Sequence, residues 1–266
     1  MTDFHTLWEK SSSVYDEYSK QFHQYIETSK VLVQFAGRLG PRIVDLACGT
    51  GITTKAIADV APDSSITAID FSLAMLEQAK KNINAKNILF IHDSAENVHK
   101  HVKGATAIIC NSAFWQFPDQ DKVLYSINKA LSPDGIFVFN LPHQFFDFGT
   151  EKSSRGPAVS LIIEELRKRG YHPEGKLKPK MTQDELTGLF GEHGLDIIKK
   201  AVCSFQSHTI EDSLAFFKIP AVSPFFDDVP ANEQDEILKE VGEKLRTKSY
   251  NPSPARFMMF KTRKTQ

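Results

Sequence analysis

Residues 43–51 read Ile43-Val44-Asp45-Leu46-Ala47-Cys48-Gly49-Thr50-Gly51, an apolar run that ends on an acid and passes into a glycine-punctuated loop. The run Ile43–Leu46 is short and apolar on both sides of the chain, as a strand buried on both faces requires. Thr53–Val60 has helical spacing, so the loop joins the carboxyl end of a strand to the start of a helix, where open α/β sheets bind ligands. Gly49 and Gly51 permit positive φ and a close approach of ligand to backbone. A third glycine would complete the GxGxxG cradle for a pyrophosphate, but Thr54 occupies that position and breaks the fingerprint. An acid four residues before the first glycine suits a ligand with a positive ammonium group better than a pyrophosphate. The next strand, Ser65–Ile69, ends on Asp70, where a carboxylate can accept both hydroxyls of a ribose.

Outward from this loop the alternation continues. Leu73–Ile83 reads as a helix, Ile88–Ile91 as a strand, Ala107–Cys110 as a strand and Lys122–Leu131 as a helix. After a turn at Ser132-Pro133-Asp134-Gly135, Ile136–Asn140 forms a fifth strand. Upstream, Val14, Tyr18, Phe22, Tyr25 and Ile26 recur at helical spacing within residues 14–40, and Gly37 and Gly40-Pro41 end that stretch. Downstream, Thr182-Gln183-Asp184-Glu185 is a capping box that opens a helix to about Glu192. Leu195–Val202 and Arg256–Lys261 supply two further strands. The expected fold is α/β, a doubly wound and mainly parallel seven-stranded sheet. Residues 143–180 and 205–250 are long excursions, with helices near Leu161–Arg169, Ile210–Phe217 and Asn232–Arg246. Connections of that length in a compact domain usually carry function, so both are read as a helical cap on the substrate side.

Bulk properties exclude several classes. A chain of 266 residues with 41 % hydrophobic content can bury one sizeable core with a cap. Lys and Arg number 32 against 33 Asp and Glu, a net charge of −1 that would not gather nucleic acid or an anionic membrane. Three scattered cysteines without a CxxC pair argue against a disulfide framework and a structural zinc site. No secretory signal and no apolar run of about 20 residues is visible. The expectation is a soluble cytoplasmic protein, monomer or homodimer, that acts on a small molecule without nucleic acid, membrane or metal.

With these residues in place, the sequence resembles the class I S-adenosylmethionine-dependent methyltransferases, in their small-molecule, type 11 branch. The matching stretches are Val44–Gly51, Ala68–Ser72 with Met75-Leu76 and Ala79, His92–Glu96, Cys110–Phe117 and Leu131–Gly135. They fall in order across roughly residues 40–142. The resemblance implies S-adenosyl-L-methionine as cofactor and one methyltransferase domain over residues 1–266, with residues 1–40 as a helical lid. It implies that Asp45 and the backbone at Ala47, Gly49 and Gly51 hold the methionine portion. Asp70 would take the ribose and Phe71 the adenine face. Asp93 would accept from the adenine amino group, Ser94 would offer its amide, and Asn111 would lie beside the sulfonium. An aromatic of the first helix (Tyr15, Tyr18 or Phe22, with Tyr18 preferred) would cover the cofactor, although the spacing by itself favours plain core. Asp134 stands where the family more often has glycine.

Methyl transfer from a sulfonium is an in-line displacement that positioning and water exclusion can drive, so it needs no catalytic triad. Asn111-Ser112-Ala113-Phe114 stands where enzymes acting on exocyclic amino groups carry Asn-Pro-Pro-Tyr, which disfavours a nucleic acid substrate. Trp115 and Gln116 can offer N–H donors to an acceptor oxygen, or Trp115 can simply be packed. His143 is the best-placed general base, or else a surface histidine. Phe145, Phe146, Phe148, Phe216, Phe217, Phe225 and Phe226 concentrate in the excursions and suggest an apolar acceptor pocket, if they are not the cap's own core. Transfer to an apolar or carboxylate-bearing acceptor, on oxygen or nitrogen, is the leading expectation. A cofactor-binding protein of the same fold with other chemistry, or a partner subunit, is the alternative. A nicotinamide-dependent oxidoreductase is disfavoured by Thr54.

Overall fold

The computed structural model describes residues 4–22, 24–143, 146, 156–173, 181–205, 209–252 and 254–265. Seven strands form one sheet in the order β3-β2-β1-β4-β5-β7-β6. They are β1 (Arg42–Leu46), β2 (Ser65–Asp70), β3 (Ile88–His92), β4 (Ala105–Cys110), β5 (Leu131–Pro142), β6 (Leu195–Ser204) and β7 (Arg256–Lys264). Strands β1 to β5 pair in parallel, while β7 lies antiparallel between β5 and β6. The chain reverses its strand order between β1 and β4, so their carboxyl ends open a crevice for a ligand.

One face is covered by α2 (Gln24–Ala36) and α3 (Ile52–Val60), which pack on Ile43, Ile66, Ala107, Ile109 and Val138. Beside them, α4 (Leu73–Asn82) sets Leu76 against Ala68. The other face carries α5 (Val98–His101), α6 (Gln120–Ala130) and α8 (Gln183–Glu192), over Val44, Leu46, Ile108 and Cys110. Thr182 caps α8 with the expected box: its hydroxyl accepts from the Glu185 amide while Glu185 accepts from the Thr182 amide. Phe139 stacks on Phe190 of α8 at 4.9 Å and on Phe260 of β7 at 5.0 Å. Phe146 is buried against the same Phe260. Part of the phenylalanine excess therefore fills the main core.

Three sequence expectations change. First, residues 14–40 are not one helix, because α1 (Phe4–Gln21) starts ten residues earlier and α2 resumes at Gln24. The buried face of α1 includes Ser11 and Asp16 beside Leu7, and such small or polar residues do not register in an apolar count. Second, Ser132–Gly135 lies inside β5 as an irregularity of the strand, where the register with β4 jumps from Ala105↔Leu131 to Ala107↔Ile136. Gly135 is required there: a Cβ would stand 2.7 Å from the Ala105 carbonyl oxygen, a backbone atom that cannot swing aside. Gly135→Ala should therefore cost roughly 1–3 kcal/mol, typical of overpacking, and thermal melting against wild type will read it. Third, Phe225 and Phe226 belong to the cap's own core. They pack with α7 (Pro157–Lys168), α9 (Ile210–Phe216) and α10 (Ala231–Thr247) through Ile162, Leu214 and Val241. Phe145, Phe148 and residues 174–180 lie outside the described residues.

Candidate active site

The crevice begins where β1 stops. Ala47 and Gly49 both hold positive φ, 58° and 54°, so the loop turns sharply away from the sheet. A Cβ added to Gly49 meets nothing within 4 Å, which leaves open space over the loop backbone for a ligand. Gly51 differs from the expectation. Its φ is 90°, but a Cβ there would collide with Ile83 at 2.6 Å and approach Ala79 at 3.2 Å. Gly51 therefore serves the packing of the loop on α4, and Gly49 alone offers clear space.

Two acids end adjacent strands beside this loop. Asp70 is 6 % exposed and accepts from the Gly49 amide at 2.8 Å and the Ser72 amide at 2.9 Å. It thereby pins the glycine loop to the start of α4. Asp45 is fully buried; its Oδ2 accepts from the Thr54 hydroxyl at 2.5 Å, while its Oδ1 has no hydrogen-bond partner among the described residues. Burial pushes Asp45 up to about 7, with Asp70 adding repulsion and Thr54 opposing both. Burial likewise raises Asp70 to about 6, against the amides of Ser72 and Gly49. Two desolvated carboxylates, one with an orphaned oxygen, fit a ligand that brings a cation and hydroxyl donors.

The remaining expected residues lie along the same edge. Phe71 follows Asp70, and its ring stands 4.2 Å from that of His5 on α1. Asp93 follows β3: against a desolvation penalty, hydrogen bonds from Asn97, His101 and the Ser94 amide hold it below the usual carboxylate range. The Ser94 amide is thus engaged by Asp93 itself at 2.7 Å. Asn111 follows β4 and is locked at both ends of its amide. Its Nδ2 donates to Ser29 at 2.8 Å, and its Oδ1 accepts from Asn140 at 2.8 Å. Asn140 also accepts from the Ser112 amide at 2.6 Å, holding Ser112 at a φ of 56°. Sequence reasoning missed Asn140 and Ser29, because small polar residues at strand and helix ends carry no motif of their own, and it read Thr54 only as a break in the glycine fingerprint.

The acceptor-side candidates are placed less alike. Gln116 accepts from the Trp8 indole at 2.6 Å and donates to the Ser112 carbonyl at 3.4 Å, which ties α1 to the turn after β4. Trp115 is half-buried and lines a cavity of about 550 Å³ with Phe117, Leu141, Phe146, Met181 and Leu186. His143 follows β5 directly, on the same edge as Asn111, and its carbonyl accepts from the Phe146 amide at 3.2 Å. Tyr18 is buried among Phe22, Tyr25 and Phe216 in the seam between α1 and the cap. Tyr15, whose hydroxyl burial pushes far up, is the tyrosine of α1 whose environment includes Asp70.

Helix α1 lies along this edge and is held from two sides. Glu9 accepts from the Leu73 and Ala74 amides at the start of α4, and Asp16 accepts from Gln78 and Asn82. On the other side Ser11 accepts from the Ala221 amide, and Tyr18 packs on Phe216. Neither His5, Trp8 nor Glu9 was expected, because the helix was read as starting after them. No group of three metal-ligating side chains occurs among the described residues, and no helix among them is long and apolar enough to cross a membrane.

Comparison with known proteins agrees with this geometry. Residues 43–135 match the family model of a methyltransferase domain. A malonyl-[acyl-carrier protein] O-methyltransferase of Bacillus anthracis is 32 % identical over 143 residues, covering 51 % of this chain and 52 % of the relative. The enzyme of that name from Halalkalibacterium halodurans is 26 % identical over 258 residues, covering 89 % and 92 %. The chain spans about half the length of most of the curated relatives it matches. Among solved structures, a phosphoethanolamine N-methyltransferase 2 of Haemonchus contortus in complex with S-adenosyl-L-methionine superposes with a TM-score of 0.58 at 14 % identity. That match covers all of this chain and 61 % of the other. The domain match, the strand order and the two acids flanking the glycine loop agree: residues 43–135 match a methyltransferase domain, and the chain has the fold of, and is similar to, the class I S-adenosylmethionine-dependent methyltransferases.

Proposed function

We propose that this chain methylates a carboxylate oxygen of a small acyl acceptor. The observation that carries the cofactor half is the buried pair Asp45 and Asp70, with Asp45 Oδ1 left unpartnered beside the open cradle at Gly49. S-adenosylmethionine supplies a methyl group on a sulfonium, which an acceptor lone pair displaces in line to leave a neutral thioether. In this reading Asp45 binds the ammonium, Asp70 the ribose hydroxyls and Phe71 the adenine, while Asp93 faces the adenine amino group. Asn111, held by Asn140 and Ser29, borders the reacting end, and α1 excludes water from above. The names of the relatives support a carboxylate acceptor, and the chemistry is consistent with the residues present. A carboxylate is already ionised at neutral pH, so its methylation forms an ester with no proton to remove. Trp115 then serves as a wall or donor of the acceptor pocket, and Gln116 fastens the lid.

The proton balance supplies the test. The purified chain is incubated with labelled cofactor and three probes, a malonyl thioester, a phenol and a primary amine, and products are read by mass. A methyl ester from the malonyl thioester is expected, with turnover in His143→Ala within about threefold of wild type. If the phenol or amine is methylated instead and His143→Ala loses turnover by about a hundredfold or more, His143 is a general base and the carboxylate reading fails.

A further inference from the structure

We propose that Thr54 is a positioning residue for the cationic end of the cofactor, fixing one oxygen of Asp45 so that the other stands ready for an ammonium donor. This rests on the cofactor reading above and assigns a role to a residue that the glycine fingerprint marks only as a mismatch. Thr54 is fully buried in the first turn of α3, and its hydroxyl is committed to Asp45 Oδ2 at 2.5 Å. A glycine there, as in a dinucleotide loop, would leave the whole carboxylate without that donor. The opposite oxygen, Oδ1, is buried and has no partner among the described residues. One fixed and one vacant oxygen amount to a carboxylate with a single direction of recognition.

The surroundings make Thr54 consequential. The titratable groups that face Asp45 are Asp70 from β2, Cys48 from the loop and Cys110 from β4. Burial pushes both thiols up, so they are neutral, and Asp70 carries the same sign as Asp45. Among the described residues Asp45 forms no ion pair. Thr54 is thus the neighbour that favours the ionised form, through its hydroxyl and its backbone amide. A hydroxyl that stabilises the carboxylate before any ligand arrives lowers the reorganisation needed on binding.

Calorimetric titration with S-adenosylhomocysteine, from about pH 6 to 8.5, tests this without an acceptor. Wild-type affinity is expected to rise with pH and level off above about 7, as Asp45 ionises. Thr54→Val keeps the shape and the backbone amide but not the hydroxyl. It should bind about tenfold more weakly at pH 7, with the rise displaced by about one pH unit upward. Thr54→Ser should follow wild type, and Thr54→Ala should follow Thr54→Val should the valine variant fold poorly. A Thr54→Val or Thr54→Ala profile that superimposes on wild type overturns the proposal, as does a serine variant as weak as the valine one. If the wild-type chain binds no S-adenosylhomocysteine at any pH, the cofactor reading fails and this role with it.

Discussion

Asp70→Ala is expected to abolish cofactor binding, with S-adenosylhomocysteine affinity falling by a hundredfold or more in isothermal titration. The carboxylate accepts from two backbone amides, Gly49 at 2.8 Å and Ser72 at 2.9 Å, in an almost dry site. Its removal unpins the glycine loop and, in the proposed reading, takes away the acceptor for a ribose. Hydrogen bonds to a charged group contribute roughly 1.5–3 kcal/mol each, so two lost ligand contacts exceed a factor of a hundred. Asp70→Asn keeps the shape and one acceptor, and should lose about tenfold, which separates recognition from loop collapse. Binding by Asp70→Ala within about threefold of wild type would remove Asp70 from the site.

The second large effect is a trade between folding and binding at Asp45. Its folded-state value of about 7 lies well above that of the unfolded chain, and burial is the first cause. An acid raised in this way weakens the fold as pH climbs from the unfolded value through about 7, where the native site must hold a charge it does not favour. The penalty is present above about 7 and absent below the unfolded value. Asp45→Asn removes it and preserves an acceptor for the Thr54 hydroxyl, so at pH 8 the unliganded variant should be more stable by on the order of 2–4 kcal/mol. In the proposed reading the same change points an amide N–H or a neutral oxygen at an incoming ammonium, and cofactor affinity should fall by at least about thirtyfold. Thermal melts at pH 5.5 and 8, with and without S-adenosylhomocysteine, read both halves. A variant less stable than wild type at pH 8 and still shifted by ligand would contradict the account.

The fold was legible because its signals were local. Short apolar runs ending on acids marked β1 and β2, and the capping box at Thr182 marked α8 to the residue. The acids Asp45, Asp70 and Asp93 stand at or beside the carboxyl ends of β1, β2 and β3. What was not legible depends on partners distant in sequence. Glu9 looks like a solvent residue until its carboxylate is seen on the Leu73 and Ala74 amides, 64 and 65 positions away. Asn140 reads as the end of a strand, and only the β4–β5 register brings it to Asn111. Gly51 looked like ligand space, whereas Ile83 from the far end of α4 fills it. Phenylalanine counts left two readings open for the same reason, since composition does not say whether Phe225 faces a ligand or Val241.

Helix α1 belongs to two bodies at once. Glu9 and Asp16 fasten it to α4 beside the cofactor edge, and Ser11 and Tyr18 fasten it to the cap. A rigid element shared in this way makes the two substrates kinetically interdependent. In the proposed reading the cap settles over an acceptor only with α1 seated on α4, so the nucleoside is expected to occupy its place first and depart last. Steady-state rates with both substrates varied should then obey a compulsory sequence, with S-adenosylhomocysteine competing against S-adenosylmethionine alone.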